Sequence, residues 1–265
     1  MTDLRRLESI GPRSHLKGER LLAEQVAVGA VKNKSLVMLN RLENRKIQEQ
    51  LRRTAEMYPN LFLKKPDEIL AAMNAAIERE RSVTHIMPNT DVMSSYYDRF
   101  TGKVNIGTAG DFSRVQREYI EAHEKDHSVR AHLLNTTYGV SSTMSKGFSF
   151  WSYIRNKSQQ FFRSSIWALN LTALVGPAAA VGYMVPQLVT PSYMHSSWEI
   201  YARMSQLKNY FGFDGGEEFT KAHLDYARKH FIKDTGIDND MQEFFNSITP
   251  RSERSFLHIM NNFGV

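Results

Sequence analysis

The sequence predicts an α+β fold that is mostly helical, with a small β-sheet whose hairpin precedes a central helix. Over Leu36–Met57, and again over 66–79, apolar residues recur at helical spacing. Between Val83 and Met87 the pattern changes: Val83, His85 and Met87 alternate with Thr84 and Ile86, which suits a short strand. At 265 residues with 42% hydrophobic residues, the chain is long enough to bury a substantial core.

Capping residues, prolines and glycines predict where the individual helices begin and end. Pro66 in a first turn, followed by two acidic residues, predicts a helix over 66–79. Asp111 or Ser113 can cap a central helix that runs to about Leu134. Residues 1–34 are polar and weakly periodic, so we expect partial disorder there. We also predict a helix over 148–162 and three or four helices over 199–265, separated by Gly215-Gly216, Gly236 and Pro250.

The strand region lies before the central helix. After the first strand we expect a turn at Pro88-Asn89. Residues 95–98 and 103–106 then form a hairpin around Gly102. Residues 107–111 are expected to form the loop that leads into the central helix.

We divide the chain into a basic helical N-terminal region, 1–80, and a domain, 81–265, that carries the chemistry. Residues 1–60 contain 12 Lys+Arg and 7 Asp+Glu, so nearly all of the net charge of +6 lies in this first region. Because residues 1–34 contain no aromatic side chain that could stack on bases, the charge does not predict nucleic-acid binding.

The absence of cysteine restricts the chemistry available to the chain. It excludes disulfides, thiol catalysis and thiolate metal sites, so a metal ion would need His and carboxylate ligands. The first residues also lack the apolar stretch of a signal peptide. We therefore expect a cytoplasmic protein, or one exported without a signal peptide.

The central helix carries the motif H-E-x-x-H, formed by His123, Glu124 and His127. Residues four apart lie one turn apart on the same helix face, so both imidazoles can bind one ion. The neighbouring Glu124 can take a proton from an attacking water molecule. The intervening Lys125 and Asp126 are unusual, because these two positions are commonly apolar or small. Two histidines on a solvated helix are the alternative interpretation.

The run Tyr97-Asp98-x-x-Thr101-Gly102-Lys103-Val104-Asn105-Ile106, followed by a loop and the H-E-x-x-H helix, resembles the zincin metallopeptidases. The resemblance covers about residues 82–135 and is loose elsewhere. It implies a zincin-like domain that binds Zn²⁺ and hydrolyses a protein or peptide substrate. It also implies that the edge strand lines the cleft and pairs with the extended substrate backbone. Glu124 would be the catalytic general base.

Zinc needs a third protein ligand. Residues 196–203 resemble the second helix of the gluzincins, in which a Glu is followed three residues later by Ala, and this implies Glu199 as the ligand. Many gluzincins have an Asp at the next position, where this chain has Arg203. The metzincin alternative fails, because its third histidine would fall at Leu133 and its glycine at Arg130, while His132 points away from His127 around the helix. The remaining candidates for the third ligand are Glu217, Glu218 and Asp225.

Gluzincins often use a downstream Tyr or His to stabilise the oxyanion, and spacing does not choose among the residues available. We expect His85 to be a half-buried strand residue and not a ligand. The candidates for oxyanion stabilisation are Tyr193, His195, Tyr201, His223 and His230.

From Ser164 to Trp198 the chain has no Asp, Glu, Lys or Arg, and we predict a hydrophobic helical segment over 164–190. Residues 166–189 are long enough to span a bilayer, but Gly176-Pro177 interrupts them, which favours two short buried helices. Membrane contact through 166–189 remains an alternative, because membrane-embedded gluzincins insert hydrophobic helices at this point of the sequence. Two further alternatives to a peptidase stay open: a metal-binding module without catalysis, and a helical interaction protein without metal.

Overall fold

The computed structural model describes residues 12–59, 62–82, 85–98, 101–131, 133, 197–238, 241–250 and 252–265. Within these ranges the chain forms nine α-helices and one three-stranded sheet, which confirms the predicted α+β class. In chain order the elements are α1 (Pro12–Val31), α2 (Lys34–Glu43), α3 (Arg45–Met57), α4 (Pro66–Ser82), β1 (His85–Asp91), β2 (Tyr96–Asp98), β3 (Lys103–Ala109), α5 (Arg114–Ala131), α6 (Ser197–Tyr210), α7 (Lys221–Thr235), α8 (Met241–Ser247) and α9 (Glu253–Asn262).

The structure places a helix within the first 34 residues and divides the helix expected over Leu36–Met57. Residues 12–31 form the 20-residue helix α1, whereas partial disorder was expected over 1–34 as a whole. The helix expected over Leu36–Met57 is divided at Asn44, whose backbone is not helical (φ −59°, ψ 125°). The Asn44 side chain accepts a hydrogen bond from the Lys46 amide at 2.9 Å and so caps the start of α3. A single capping residue inside a continuous apolar pattern therefore separates two helices.

The sheet has the strand order β1-β3-β2. Strand β1 is parallel to β3, while β2 is antiparallel to β3 and forms the hairpin. Pro88-Asn89 does not form the predicted turn but lies inside β1. The pairing with β3 is irregular between Met87 and Asp91, and β1 is an edge strand, where proline is tolerated. Strand β3 continues through Ala109, which shortens the loop expected over 107–111.

Helix α5 lies at the centre of the molecule, where it contacts α2, α4, α6 and the strands β2 and β3. One hydrophobic cluster runs from Leu22 in α1 to Val265 and includes residues on both sides of position 80. The division into 1–80 and 81–265 stays a prediction, but among the described residues both parts contribute to the same core.

Several basic residues of the first region bind the turn that follows α6. Lys32 donates to the carbonyl of Gly212 at 2.9 Å, and Lys46 donates to the carbonyl of Gly216 at 2.9 Å. The buried guanidinium of Arg41 donates to the carbonyl of Phe213 at 2.7 Å. Part of the N-terminal charge surplus therefore serves contacts within the fold.

The helix predicted over 148–162 and the hydrophobic segment predicted over 164–190 lie outside the described residues. The described chain resumes at residue 197, where α6 begins. None of the helices in the described ranges combines the length and the apolar composition that a membrane crossing requires.

Candidate metal centre

Helix α5 begins with a reciprocal cap at Ser113. The Ser113 hydroxyl accepts a hydrogen bond from the Gln116 amide at 3.2 Å, and the Gln116 side chain accepts one from the Ser113 amide at 2.8 Å. The helix ends at Ala131, earlier than the predicted Leu134. From Tyr119 to Ala131 it is almost entirely buried, because the sheet and three helices pack around it. Its polar residues therefore need partners inside the fold.

His123 and His127 lie one helical turn apart on the same face of α5. Their ring centroids are 4.4 Å apart, and the rings are close to perpendicular. His123 is 9% exposed and His127 is 4% exposed. Two imidazoles in this arrangement direct nitrogen atoms toward a common point, as the helical spacing predicted.

Glu199, in the first turn of α6, lies opposite the two histidines and is only 1% exposed. Its Oε1 is 3.1 Å from His127 Nε2, and its Oε2 is 3.5 Å from His123 Nε2. The three side chains can each offer one ligand atom, and all of these atoms lie within 4.8 Å of one another. The structure therefore brings together the three residues that the sequence had indicated as metal ligands.

The donor set and its spacing suit zinc. Nitrogen and oxygen ligands about 2.0–2.1 Å from a tetrahedral zinc ion lie ~3.3 Å from each other. The observed separations of 3.1 and 3.5 Å between the carboxylate and the two imidazoles are close to this value. Among the described residues, neither Glu199 oxygen accepts a well-aligned hydrogen bond, and the same holds for His123 Nδ1. A buried carboxylate in this state is expected to have a cation as its partner.

The charges of this cluster are strongly coupled. Burial raises the pKa of Glu199, but the adjacent imidazoles of His127 and His123 outweigh it and hold the pKa well below the usual value of 4.5. Burial lowers the pKa of His127, but the Glu199 carboxylate outweighs it and raises the pKa above 6.5. Glu199 is therefore ionised at neutral pH, as a metal ligand must be.

Glu124 directly follows His123 in the sequence, and its carboxylate accepts a hydrogen bond from strand β2. Its Oε2 accepts a hydrogen bond from the backbone amide of Tyr97, in strand β2, at 2.9 Å. The catalytic candidate is thus held against the edge strand of the sheet. Residue identity gives no signal for this contact, because the donor is a main-chain group, and sequence reasoning missed it.

The unusual residues inside the motif both have charged partners. Lys125 Nζ is 2.7 Å from Glu121 Oε1, one turn earlier in α5. Asp126 Oδ2 accepts from Arg130 Nε at 2.8 Å, one turn later. Lys125 and Asp126 are both buried, so the interpretation of α5 as a solvated surface helix does not describe the fold.

Arg203 lies one turn after Glu199 in α6 and is 5% exposed. Its Nε is 3.9 Å from Glu199 Oε2, which is too long for a hydrogen bond. The chain therefore has a buried cation near the cluster at the position where many gluzincins have an aspartate.

The fallback ligands lie outside the cluster. Glu217 accepts a hydrogen bond from the Gly215 amide, and Glu218 is exposed. Asp225 pairs with Lys221 and Arg228 on the surface of α7.

The oxyanion candidates in the described ranges make other contacts. His223 packs among phenylalanine rings, His230 lies against the Tyr226 ring, and Tyr201 lies under the guanidinium of Arg130. Tyr193 and His195 lie outside the described residues, as does His132.

His85 is a residue of β1 and is not part of the cluster. Its Nδ1 lies 3.1 Å from the side-chain oxygen of Asn105 in the neighbouring strand. The side chain is exposed, whereas a half-buried position was expected.

Comparison of the chain with models of protein families, with curated proteins and with solved structures gave no match.

Proposed function

We propose that the chain is a zinc-dependent metallopeptidase, in which His123, His127 and Glu199 hold Zn²⁺ and Glu124 is the general base. One observation carries the proposal: two imidazoles of α5 and a carboxylate of α6 converge at the ligand spacing of zinc, with a second carboxylate next to them. Among the described residues three side chains can hold the ion, which leaves the fourth tetrahedral position for water, as is typical of catalytic zinc and not of structural zinc.

A zinc ion held at this site supplies a Lewis acid that acidifies water and polarises a carbonyl group. Glu124 then takes the proton of the attacking water and passes it to the leaving amine. The hydrogen bond from the Tyr97 amide to Oε2 fixes the orientation of the carboxylate against strand β2. This contact holds the general base in place before substrate arrives.

The substrate is a protein or peptide bound in extended form along the hairpin Tyr96–Ile106. In the order β1-β3-β2, strand β2 is an edge, so its main-chain groups that bind neither β3 nor Glu124 can pair with another extended segment. The same strand holds Glu124, so a peptide paired with β2 would lie next to the general base.

A second candidate function is a metal-binding module that does not catalyse. Arg203 favours it, because many gluzincins have at this position an aspartate that orients a ligand histidine, and a buried arginine near Glu199 cannot take that role. The two functions share the metal site and differ in the role of Glu124.

Turnover by the Glu124→Gln variant separates the two functions. Wild type and variant, both loaded with zinc, are incubated with unfolded fluorogenic casein, and Glu121→Gln, one turn earlier in α5, is the control. If the chain is a peptidase, Glu124→Gln retains zinc and loses activity by about 10²–10⁴-fold, while Glu121→Gln stays near wild type. Equal cleavage by wild type and Glu124→Gln, or loss of zinc in that variant, contradicts the assigned role. Zinc binding without cleavage by wild type favours the non-catalytic module.

A further inference from the structure

The buried side chain of Arg130 connects the two helices that carry the candidate metal ligands. On α5, its Nε donates to Asp126 Oδ2 at 2.8 Å, next to His127. Its guanidinium carbon lies 4.4 Å from the ring centroid of Tyr201, on α6, two residues after Glu199. Arg130 is 1% exposed, and Asp126 and Tyr201 are fully buried. One side chain therefore contacts a neighbour of a ligand on each helix.

The last residues of the sequence add to this connection. Arg130 Nη1 donates to the carbonyl of Gly264 at 3.1 Å, and Lys208 of α6 donates to the carbonyl of Val265 at 2.9 Å. Both carbonyl groups belong to a buried segment that contacts α5 through one cation and α6 through another. This segment thus holds α5 and α6 relative to each other, in addition to the contact between Arg130 and Tyr201.

The metal cluster depends on that position. His123 and His127 are on α5 and Glu199 is on α6, so a displacement of one helix changes the distances of 3.1 and 3.5 Å directly. Metal sites require their ligands to be held within about 0.5 Å of the working geometry. A buried guanidinium that pairs with a carboxylate and packs on an aromatic ring is a rigid spacer.

We propose that Arg130 is a positioning residue for the metal centre, acting through Asp126 and Tyr201 to set the separation of α5 and α6. The proposal rests on the proposed zinc site, and it assigns a role to Asp126, one of the two residues that make the H-E-x-x-H motif atypical. Arg130 holds the ligands in place without touching the metal or the substrate.

The test is the zinc dissociation constant, measured on intact protein by competition with a chromogenic chelator, together with the visible spectrum of the Co²⁺-loaded protein. The spectrum reports the coordination geometry, which a loss of global stability alone does not change. The variants are Arg130→Met, Arg130→Lys, Tyr201→Leu and Tyr201→Phe. Arg41→Met is the matched control, because Arg41 is also buried but binds the second half of α6 at Ser205 and Asn209.

We expect Arg130→Met and Tyr201→Leu to weaken zinc binding by about 10–100-fold and to alter the Co²⁺ spectrum. Tyr201→Phe keeps the ring and should bind like wild type, while Arg130→Lys should recover part of the affinity. Arg41→Met should leave the dissociation constant within about threefold of wild type, even though it lowers stability.

Wild-type affinity in a folded Arg130→Met protein would overturn the proposal, and so would equal losses in Arg130→Met and Arg41→Met. If Arg130→Met does not fold, the zinc affinities of Tyr201→Leu and Tyr201→Phe are compared instead. Equal affinity in these two variants overturns the proposal. Absence of zinc binding in wild type instead contradicts the metal site itself, so the two failures are distinguishable.

Discussion

His127 Nε2 lies 3.1 Å from Glu199 Oε1, although the two residues belong to helices far apart in the sequence. The contact joins a histidine of α5 to a carboxylate that is 1% exposed on α6. The resulting ligand set has a net charge of −1 when both imidazoles are neutral, which suits a divalent cation. Because Glu199 is the ligand that α6 contributes, its replacement is the most informative test of the ligand set.

Glu199→Gln should weaken zinc binding by at least about 100-fold, because a ligand loss should exceed the 10–100-fold cost of losing an outer contact. Glutamine has nearly the shape of glutamate, so the fold should be retained. The dissociation constant by chelator competition measures the effect, and Glu217→Gln, in the loop after α6, is the control. Unchanged affinity in Glu199→Gln would remove this residue from the ligand set.

Two glycines of α1 should respond to alanine with opposite signs. A Cβ on Gly29 would lie 2.7 Å from the Tyr210 carbonyl oxygen and 2.8 Å from the Gly212 amide nitrogen, whereas nothing lies within 4 Å of one on Gly18. We expect Gly29→Ala to destabilise by about 1–3 kcal/mol, because the contacts are with main-chain atoms. Gly18→Ala should stabilise by up to about 1 kcal/mol. Urea unfolding of both variants checks the pair, and equal effects would contradict the packing of α1 on this turn.

Arg41→Met should strongly destabilise the protein. Arg41 is fully buried, and its guanidinium donates to Asn209, Phe213 and Ser205. Burial lowers its pKa to about 10, so it remains charged at neutral pH. Loss of the cation leaves these acceptors unsatisfied, at a cost of about 3–5 kcal/mol.

Chemical denaturation measures this cost. The control is Arg20→Met, whose side chain is 83% exposed and which should stay within about 0.5 kcal/mol of wild type. Similar stability of the two variants would show that residues 1–80 are not integrated with the core.

His223 should make the fold sensitive to acid. Burial lowers its pKa to about 4. Its Nδ1 accepts a hydrogen bond from the Thr220 amide at 3.0 Å, which requires the neutral ring. Between pH 6.5 and 4 the unfolded chain binds a proton that the folded chain does not, so stability falls as the pH is lowered through this range.

The expected contribution of His223 is about 2–3 kcal/mol between pH 7 and 4. His223→Asn keeps an acceptor near the Thr220 amide and does not titrate, so its stability should depend less on pH in that window. Unfolding free energies at pH 7, 5.5 and 4.5 provide the comparison. Parallel pH profiles for wild type and His223→Asn would contradict the assignment.

How much of the fold and of the metal site the sequence predicts differs from residue to residue. His123 and His127 follow from helical geometry alone, since a spacing of four fixes a shared face. Glu199 was found through a resemblance, because no local pattern links it to α5. Periodicity could not locate the break at Asn44, which depends on a single side-chain cap. It also could not place Pro88 inside a strand, since that depends on β1 being an edge.

The contacts that hold the site were harder to predict. The Tyr97 amide that binds Glu124 carries no residue-specific signal. Asp126 and Arg130 have the i, i+4 spacing of an ion pair on one helix, but this pair was not predicted. The contact of Arg130 with Tyr201 depends on how α5 and α6 pack, which a single sequence does not specify.

The zinc content of the purified chain tests the central claim most directly. The protein is dialysed against zinc and then against metal-free buffer, and zinc is measured per chain by mass spectrometry, with His123→Ala treated in parallel. A site formed by His123, His127 and Glu199 predicts about one zinc per wild-type chain and far less in the variant. Zinc well below one equivalent in wild type, or equal zinc in the two proteins, would contradict it.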